Sequence, residues 1–118
     1  MRLRTSLLCA GLVALASGAH ADLARIDSQD AFLNHVAGKT LTRPLVELRV
    51  TPDGRIEGRG SAWDVTGEWS WRDGYFCRDL FWGGDALGYN CQEVRAGEGR
   101  MRFTSDKGNG QSAVFRLK

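Results

Sequence analysis

The sequence predicts a mainly β protein, a small antiparallel up-and-down meander or barrel of seven to eight strands with one N-terminal helix. Apolar side chains alternate with polar ones from Leu45 onward, and glycine-bearing turn sequences interrupt that alternation at short intervals. Helical spacing occurs only before Gly38, where Phe32, Leu33 and Val36 form an apolar stripe behind a capping Asp27 or Ser28.

Ahead of the domain, Arg2 and Arg4 precede an apolar run from Leu7 to Ala16 and then Ala19-His20-Ala21. Such a small-x-small triplet after a short apolar stretch is what a signal peptidase recognises. Residues 1–21 are therefore expected to be a signal peptide and residues 22–118 a single β domain, periplasmic or secreted after cleavage near Ala21. The run falls short of the roughly 20 apolar residues a spanning helix needs, so no membrane span is expected. Cys9 follows Ser6-Leu7-Leu8 and lacks the small residue a lipoprotein signal places directly before its cysteine.

Loss of Arg2 and Arg4 brings Lys+Arg, 16 in the whole chain, level with the 14 Asp+Glu. A balanced charge removes the electrostatic motive for a nucleic-acid partner. A domain this short buries only about 60–70% of its unfolded surface, so a covalent tie would help it. Cys77 and Cys91 remain after processing, and in an oxidising compartment one disulfide between them is expected. The loop it closes, about fifteen residues, corresponds to stabilisation on the order of 3 kcal/mol.

The clearest hairpin spans Leu45 to Gly60, because Thr51-Pro52-Asp53-Gly54-Arg55 suits a three-residue loop, a type I turn followed by a left-handed glycine. That loop sets Val50 opposite Ile56, Arg49 opposite Glu57 and Glu47 opposite Arg59. Val46, Leu48, Val50 and Ile56 then share one face. Gly58 and Gly60 lie on it too, where a missing side chain permits curvature or leaves room for a neighbour's ring.

A second turn, Arg72-Asp73-Gly74, allows two registers. A three-residue loop puts Trp69 opposite Cys77 and gathers Trp69, Trp71, Tyr75, Cys77, Phe81, Leu87, Tyr89 and Cys91 on one proposed core face. A two-residue Asp-Gly turn puts Trp69 opposite Arg78 and the disulfide on the other surface. The first is preferred here for the apolar area it collects. In either case a Cys77–Cys91 bridge sets Asp79 opposite Tyr89 and Phe81 opposite Leu87. Strands are expected at Arg100–Ser105 and Ser112–Leu117, with a further short one near Thr40–Thr42 or Ser61–Val65.

Few residues suggest chemistry. The aromatic group Trp63, Trp69, Trp71, Tyr75, Trp82 and Tyr89 is dense for so short a chain and suits a stacking pocket for a small aromatic or apolar ligand in a barrel mouth. Arg78 and Asp79, beside that aromatic strand, would supply a charged edge. The candidate ligand-binding residues are thus Trp69, Trp71, Tyr75, Arg78, Asp79 and Tyr89. His35 is the one histidine left after processing, on a solvated helix position, and no second histidine or free cysteine joins it, so neither a metal site nor a cofactor is expected. No Gly-x-Ser-x-Gly elbow or serine–histidine spacing occurs, and no catalytic residue stands out. Gly108-Asn109-Gly110-Gln111-Ser112-Ala113 matches G-x-G-x-x-A, but between two expected antiparallel strands it reads as a hairpin turn, without the βαβ setting a dinucleotide fingerprint requires.

The run Trp69-Ser70-Trp71-Arg72-Asp73-Gly74-Tyr75-Phe76-Cys77-Arg78, with Asn90-Cys91-Gln92 and Asp106-Lys107-Gly108, resembles a group of short exported bacterial proteins that circulate under the name dihydrodipicolinate reductase. A reductase of that kind is a longer cytoplasmic enzyme with an N-terminal nucleotide fold and a His-His-Arg-type motif, and this sequence has neither. No catalytic residue is carried over. The expectation is a non-enzymatic periplasmic binding module with an aromatic pocket. One alternative is a protein-interaction module, a hydrolase inhibitor or envelope accessory factor, presenting the loops Gly83–Gly88 and Asp106–Gly110 to an envelope protein; another is an enzyme, as the reductase label would say, which the residues do not support.

Overall fold

The computed structural model describes residues 23–118, and the expected signal peptide lies outside them. Strand β1 (Ala24–Ile26) leads into helix α1 (Gln29–Val36), and eight strands follow: β2 (Leu41–Arg43), β3 (Val46–Val50), β4 (Arg55–Gly60), β5 (Trp63–Arg72), β6 (Tyr75–Trp82), β7 (Asp85–Gly97), β8 (Arg100–Thr104) and β9 (Ser112–Leu117). Each of the eight pairs antiparallel with its successor, and β9 returns to pair with β2, closing an eight-stranded up-and-down barrel. Strand β1 is additional. It pairs with β7 from Ala24↔Ala96 to Ile26↔Val94, using the part of β7 that lies beyond its pairing with β6.

Helix α1 forms where the sequence places it. Ser28 caps it by accepting a hydrogen bond from the Ala31 amide, and Gly38 leaves it with φ +68. Phe32 and Val36 point into the barrel and are fully buried. The Phe32 ring meets Trp69, Trp71, Phe76 and Phe103 at centroid distances of 5.1–6.4 Å, so the helix plugs the end of the barrel that carries the β3–β4 and β5–β6 turns. Val94, Met101, Phe115 and Ile56 complete this core.

The β3–β4 hairpin has the expected register, with Val50↔Ile56, Arg49↔Glu57 and Glu47↔Arg59. Its loop is held by the Thr51 amide donating to Arg55 O at 2.9 Å and the Gly54 amide to Thr51 O at 3.2 Å, with Gly54 at φ +93. Gly58 stands where β4 passes so close to β3 that a Cβ would collide with the backbone carbonyl of Glu47. Overpacking of this kind typically destabilises by about 1–3 kcal/mol. Gly58→Ala should therefore lower the denaturation midpoint by that amount in a urea titration, whereas Gly99→Ala, which meets open space, should show only the smaller penalty of a positive φ.

The β5–β6 hairpin takes the register that was not preferred. Asp73 and Gly74 have φ +51 and +84, and Arg72 pairs with Tyr75, which makes the loop two residues long. Positive φ at both positions is the type I′ signature, whose twist matches that of the flanking strands. The β3–β4 loop cannot adopt it, because Pro52 holds its φ near −65°; no proline stands at Arg72. Trp69 therefore faces Arg78, Trp71 faces Phe76, and Ser70 faces Cys77. The expected core face is corrected accordingly. Trp69 and Trp71 turn inward with Phe76 and Leu80, while Tyr75, Cys77, Asp79, Phe81, Tyr89 and Cys91 belong to the outer face, where Cys77 is itself buried.

The disulfide joins Cys77 to Cys91 directly across β6 and β7, and Asp79 lies opposite Tyr89 as expected. The pairing then slips. Leu80 faces Gly88 and Phe81 faces Ala86, leaving Leu87 as an extra residue in a bulge with Gly88 at φ +88. A bulge re-aims the side chain it contains. Here it turns Leu87 toward the open end of the barrel, where it shares a cavity wall with Leu80 and Trp82.

Between β8 and β9 the single-turn segment α2 (Ser105–Gly108) has Asp106 and Lys107 in the left-handed region. Asn90 grips it from β7, donating to Asp106 Oδ1 at 2.8 Å and accepting from the Asp106 amide at 2.9 Å. The G-x-G-x-x-A run thus forms part of a β-hairpin connection, Thr104 facing Ser112 across it.

Candidate functional site

The six sequence-predicted ligand residues divide between two faces. Trp69 and Trp71 lie inside, packed on Phe32, and Trp69 donates its indole N–H to the Thr51 carbonyl at 2.9 Å. Phe32 of the helix packs against both rings. Arg78 shares their face. Its Nη1 donates to the Gly88 carbonyl at 2.7 Å, while its Nε and the Trp71 indole N–H are buried with no hydrogen-bond partner among the described residues. Burial pushes the Arg78 guanidinium below its ordinary range, and the charge of Asp79 opposes that shift. Tyr75, Asp79 and Tyr89 lie outside. Tyr75 receives Arg25 at 4.8 Å and Lys107 at 5.5 Å from its ring centre. The Tyr89 hydroxyl lies 3.5 Å from Cys91 Sγ, and the Asp79 carboxylate faces Glu68 across the sheet. Arg78 and Asp79, being neighbours on one strand, point to opposite sides and form no common anchor.

The opening is at the other end of the barrel. A cavity of about 270 Å³ lies between Val46 and Leu48 of β3, Val65 of β5, Leu80 and Trp82 of β6, and Leu87 of the bulge. Gly60 forms part of its wall. A Cβ there would lie 3.2 Å from the Trp82 indole nitrogen, and that nitrogen donates to the Gly60 carbonyl at 2.8 Å. The glycine on the apolar face thus makes room for a neighbour's ring, as its position in the alternation implied. On the neighbouring strand β5, Gly67 leaves no space for a Cβ, which would collide with the Asp79 carbonyl. Absent side chains at these two positions let the strands coil tightly, and the six apolar side chains above them do not fill the space.

The rim is apolar too. Leu45 sits at the β2–β3 turn, 78% exposed, with φ +66. A leucine gains nothing from either condition: left-handed backbone costs a non-glycine residue on the order of 1 kcal/mol, and the side chain is left in water. Its carbonyl accepts from the Ser61 amide at 2.7 Å, which ties the β2–β3 turn to the β4–β5 turn. Trp63 follows that second turn, 57% exposed, and packs its ring edge beside Gly83 of the β6–β7 turn, whose amide bonds the Asp64 carbonyl at 2.8 Å. These ties gather the three turns that carry Leu45, Trp63 and, beside the cavity, Trp82 and Leu87. Contiguous exposed apolar surface of this sort marks binding sites in proteins generally.

The two tryptophans of the rim, Trp63 and Trp82, were part of the aromatic group picked out in the sequence. The aliphatic wall was not, because its assembly depends on the Leu87 bulge and on barrel closure. Among the described residues no three His, Cys, Asp or Glu side chains gather as a metal site, and no helix is long and apolar enough to cross a membrane. Comparison with protein-family models, with curated proteins and with solved structures yields no match to this chain.

Proposed function

We propose that this chain is a non-enzymatic binding module of the bacterial envelope, which takes a small apolar group into the open end of its barrel. The observation that carries this reading is the unfilled apolar cavity of about 270 Å³ whose wall includes the exposed Trp82 and Leu87, with exposed Leu45 and Trp63 on the adjoining turns. Small-molecule sites are concave, mostly apolar and largely pre-formed, and small barrels hold a ligand at one mouth. The aromatic contact expected of the pocket is supplied in this reading by Trp82, and the disulfide-bearing outer surface serves stability.

Titration with N-phenyl-1-naphthylamine, a neutral apolar fluorophore, tests the proposal. Saturable one-to-one binding with a blue-shifted emission is expected, together with a change in tryptophan fluorescence. Leu87→Trp should fill the mouth and weaken binding at least tenfold, without lowering the melting temperature, because Leu87 is half exposed. Absence of saturable binding, or binding indifferent to Leu87→Trp, would overturn it.

A second reading rests on the exposure of Trp63 and Leu45. Both stand on turns, where a partner protein can reach them, so the rim also suits a protein-interaction module that accepts a partner's apolar side chain. A stoichiometric partner recovered from envelope extract by the wild type and lost with Trp63→Ser would favour it over a free ligand.

A further inference from the structure

Below the mouth, a groove of about 840 Å³ runs down the outside of β2, β3 and β9, and it meets the apolar cavity at Val46 and Ser61, which line both. Its chemistry is opposite. Arg43, Arg59, Arg100, Arg116 and Lys118 line it against a single acidic lining residue, Glu47. Arg59 is engaged with Asp64 at 3.4 Å and with the Ala62 carbonyl at 2.9 Å. Arg43, Arg100 and Arg116 have no ion pair among the described residues, and all three are exposed.

The placement of these arginines is unfavourable for the protein alone. Arg100 and Arg116 are direct cross-strand partners on β8 and β9, and one strand further the row continues with Arg102 facing Arg95 and Arg95 facing Arg25. Like charges directly opposite each other destabilise a sheet. Glu93 neutralises Arg95 and no other member of the row. Arg43 lies beside the mouth on the other face of β2, next to the Pro44-Leu45 turn, with its guanidinium 5.6 Å from the centre of the Phe115 ring. An apolar cavity therefore opens directly onto a surface of unpaired guanidinium groups, which are suited to forked hydrogen bonds with carboxylate or phosphate oxygens.

We infer that the ligand is an anionic amphiphile, whose apolar chain enters the mouth while its carboxylate or phosphate lies in the groove on Arg100 and Arg116, which are cross-strand partners on one face. This rests on the apolar-site reading above and adds the headgroup to it. Fatty acids and phospholipids both have this chemistry.

Displacement of bound N-phenyl-1-naphthylamine by three compounds with the same tail, decanoate, 1-decanol and decyltrimethylammonium, tests it at low salt and pH 7.5. Decanoate is expected to bind at least tenfold more tightly than 1-decanol, and decyltrimethylammonium the most weakly. The advantage of decanoate should shrink as salt is raised. It should vanish in Arg100→Gln/Arg116→Gln, with the affinity for 1-decanol unchanged and the melting temperature unchanged or raised, since a like-charge pair has been relieved. Dodecyl phosphate and dodecanoate, compared in the same assay, separate a phosphate from a carboxylate preference. Equal affinities for decanoate and 1-decanol would overturn the anionic headgroup while leaving the apolar site standing. Failure of all three to displace the fluorophore would remove both.

Discussion

Phe32→Ala is expected to destabilise the domain by about 3–5 kcal/mol, the range for removing a fully buried aromatic ring from a core. Phe32 has no exposed surface and touches the rings of Trp69, Trp71, Phe76 and Phe103, which come from three different strands. Its loss leaves a hole at the centre of the aromatic cluster, and the short helix retains only Val36 as a fully buried anchor. Domains of this size have about 5–15 kcal/mol of stability in total, so the variant should stand close to unfolding at 37 °C. Urea denaturation followed by tryptophan fluorescence provides the measurement. Asn34→Ala, on the exposed side of the same helix, is the control and should shift the midpoint little. A loss below about 1 kcal/mol for Phe32→Ala would be incompatible with a helix that plugs the barrel, given the magnitudes known for buried rings.

The second large effect concerns the covalent tie. Cys77→Ser/Cys91→Ser should lose on the order of 3 kcal/mol, the chain-entropy value for a loop of about fifteen residues. The bridge lies on the outer surface of β6 and β7, away from the Phe32 cluster, so the folded variant should keep the near-ultraviolet signature of its packed aromatics. Dithiothreitol should lower the urea midpoint of the wild type toward that of the double variant and leave the variant unaffected. A wild type insensitive to reductant at equilibrium would show that the tie contributes nothing. The two variants also differ in kind: Phe32→Ala removes contacts from the native state, whereas the serine pair acts chiefly by enlarging the unfolded ensemble.

The β3–β4 hairpin was legible residue by residue, because Pro52 and Gly54 permit a single loop geometry and the Arg49–Glu57 and Glu47–Arg59 pairs fit only the register that loop imposes. The helix cap at Ser28, the Cys77–Cys91 pairing and Asp79 opposite Tyr89 were legible for similar reasons: each is decided within one turn of chain or by one covalent bond. At the β5–β6 turn that locality failed. Arg72-Asp73-Gly74 tolerates two loop lengths that differ by one residue, and in a strand one residue exchanges the two faces. The aromatic residues themselves did not choose, because Trp69 and Trp71 turn inward in both registers and only their partners change. Phe76 and Leu80 in place of Tyr75 and Phe81 is the difference the packed barrel made, since Phe76 completes the ring cluster around Phe32.

The candidate site shows the same division. Alternation along the chain placed Leu48, Leu80 and Trp82 in strands and gave Gly60 two roles, curvature or space for a ring. Whether that space remained open was a matter of the whole barrel. Three non-local events had to coincide: β9 pairing with β2, Leu87 displaced by the bulge at Gly88, and the helix filling one end but not the other. Local rules act over a few bonds and leave a signature in the residues that obey them. A cavity and a row of facing arginines are sums over strands distant in sequence, and they acquire position only when the sheet closes.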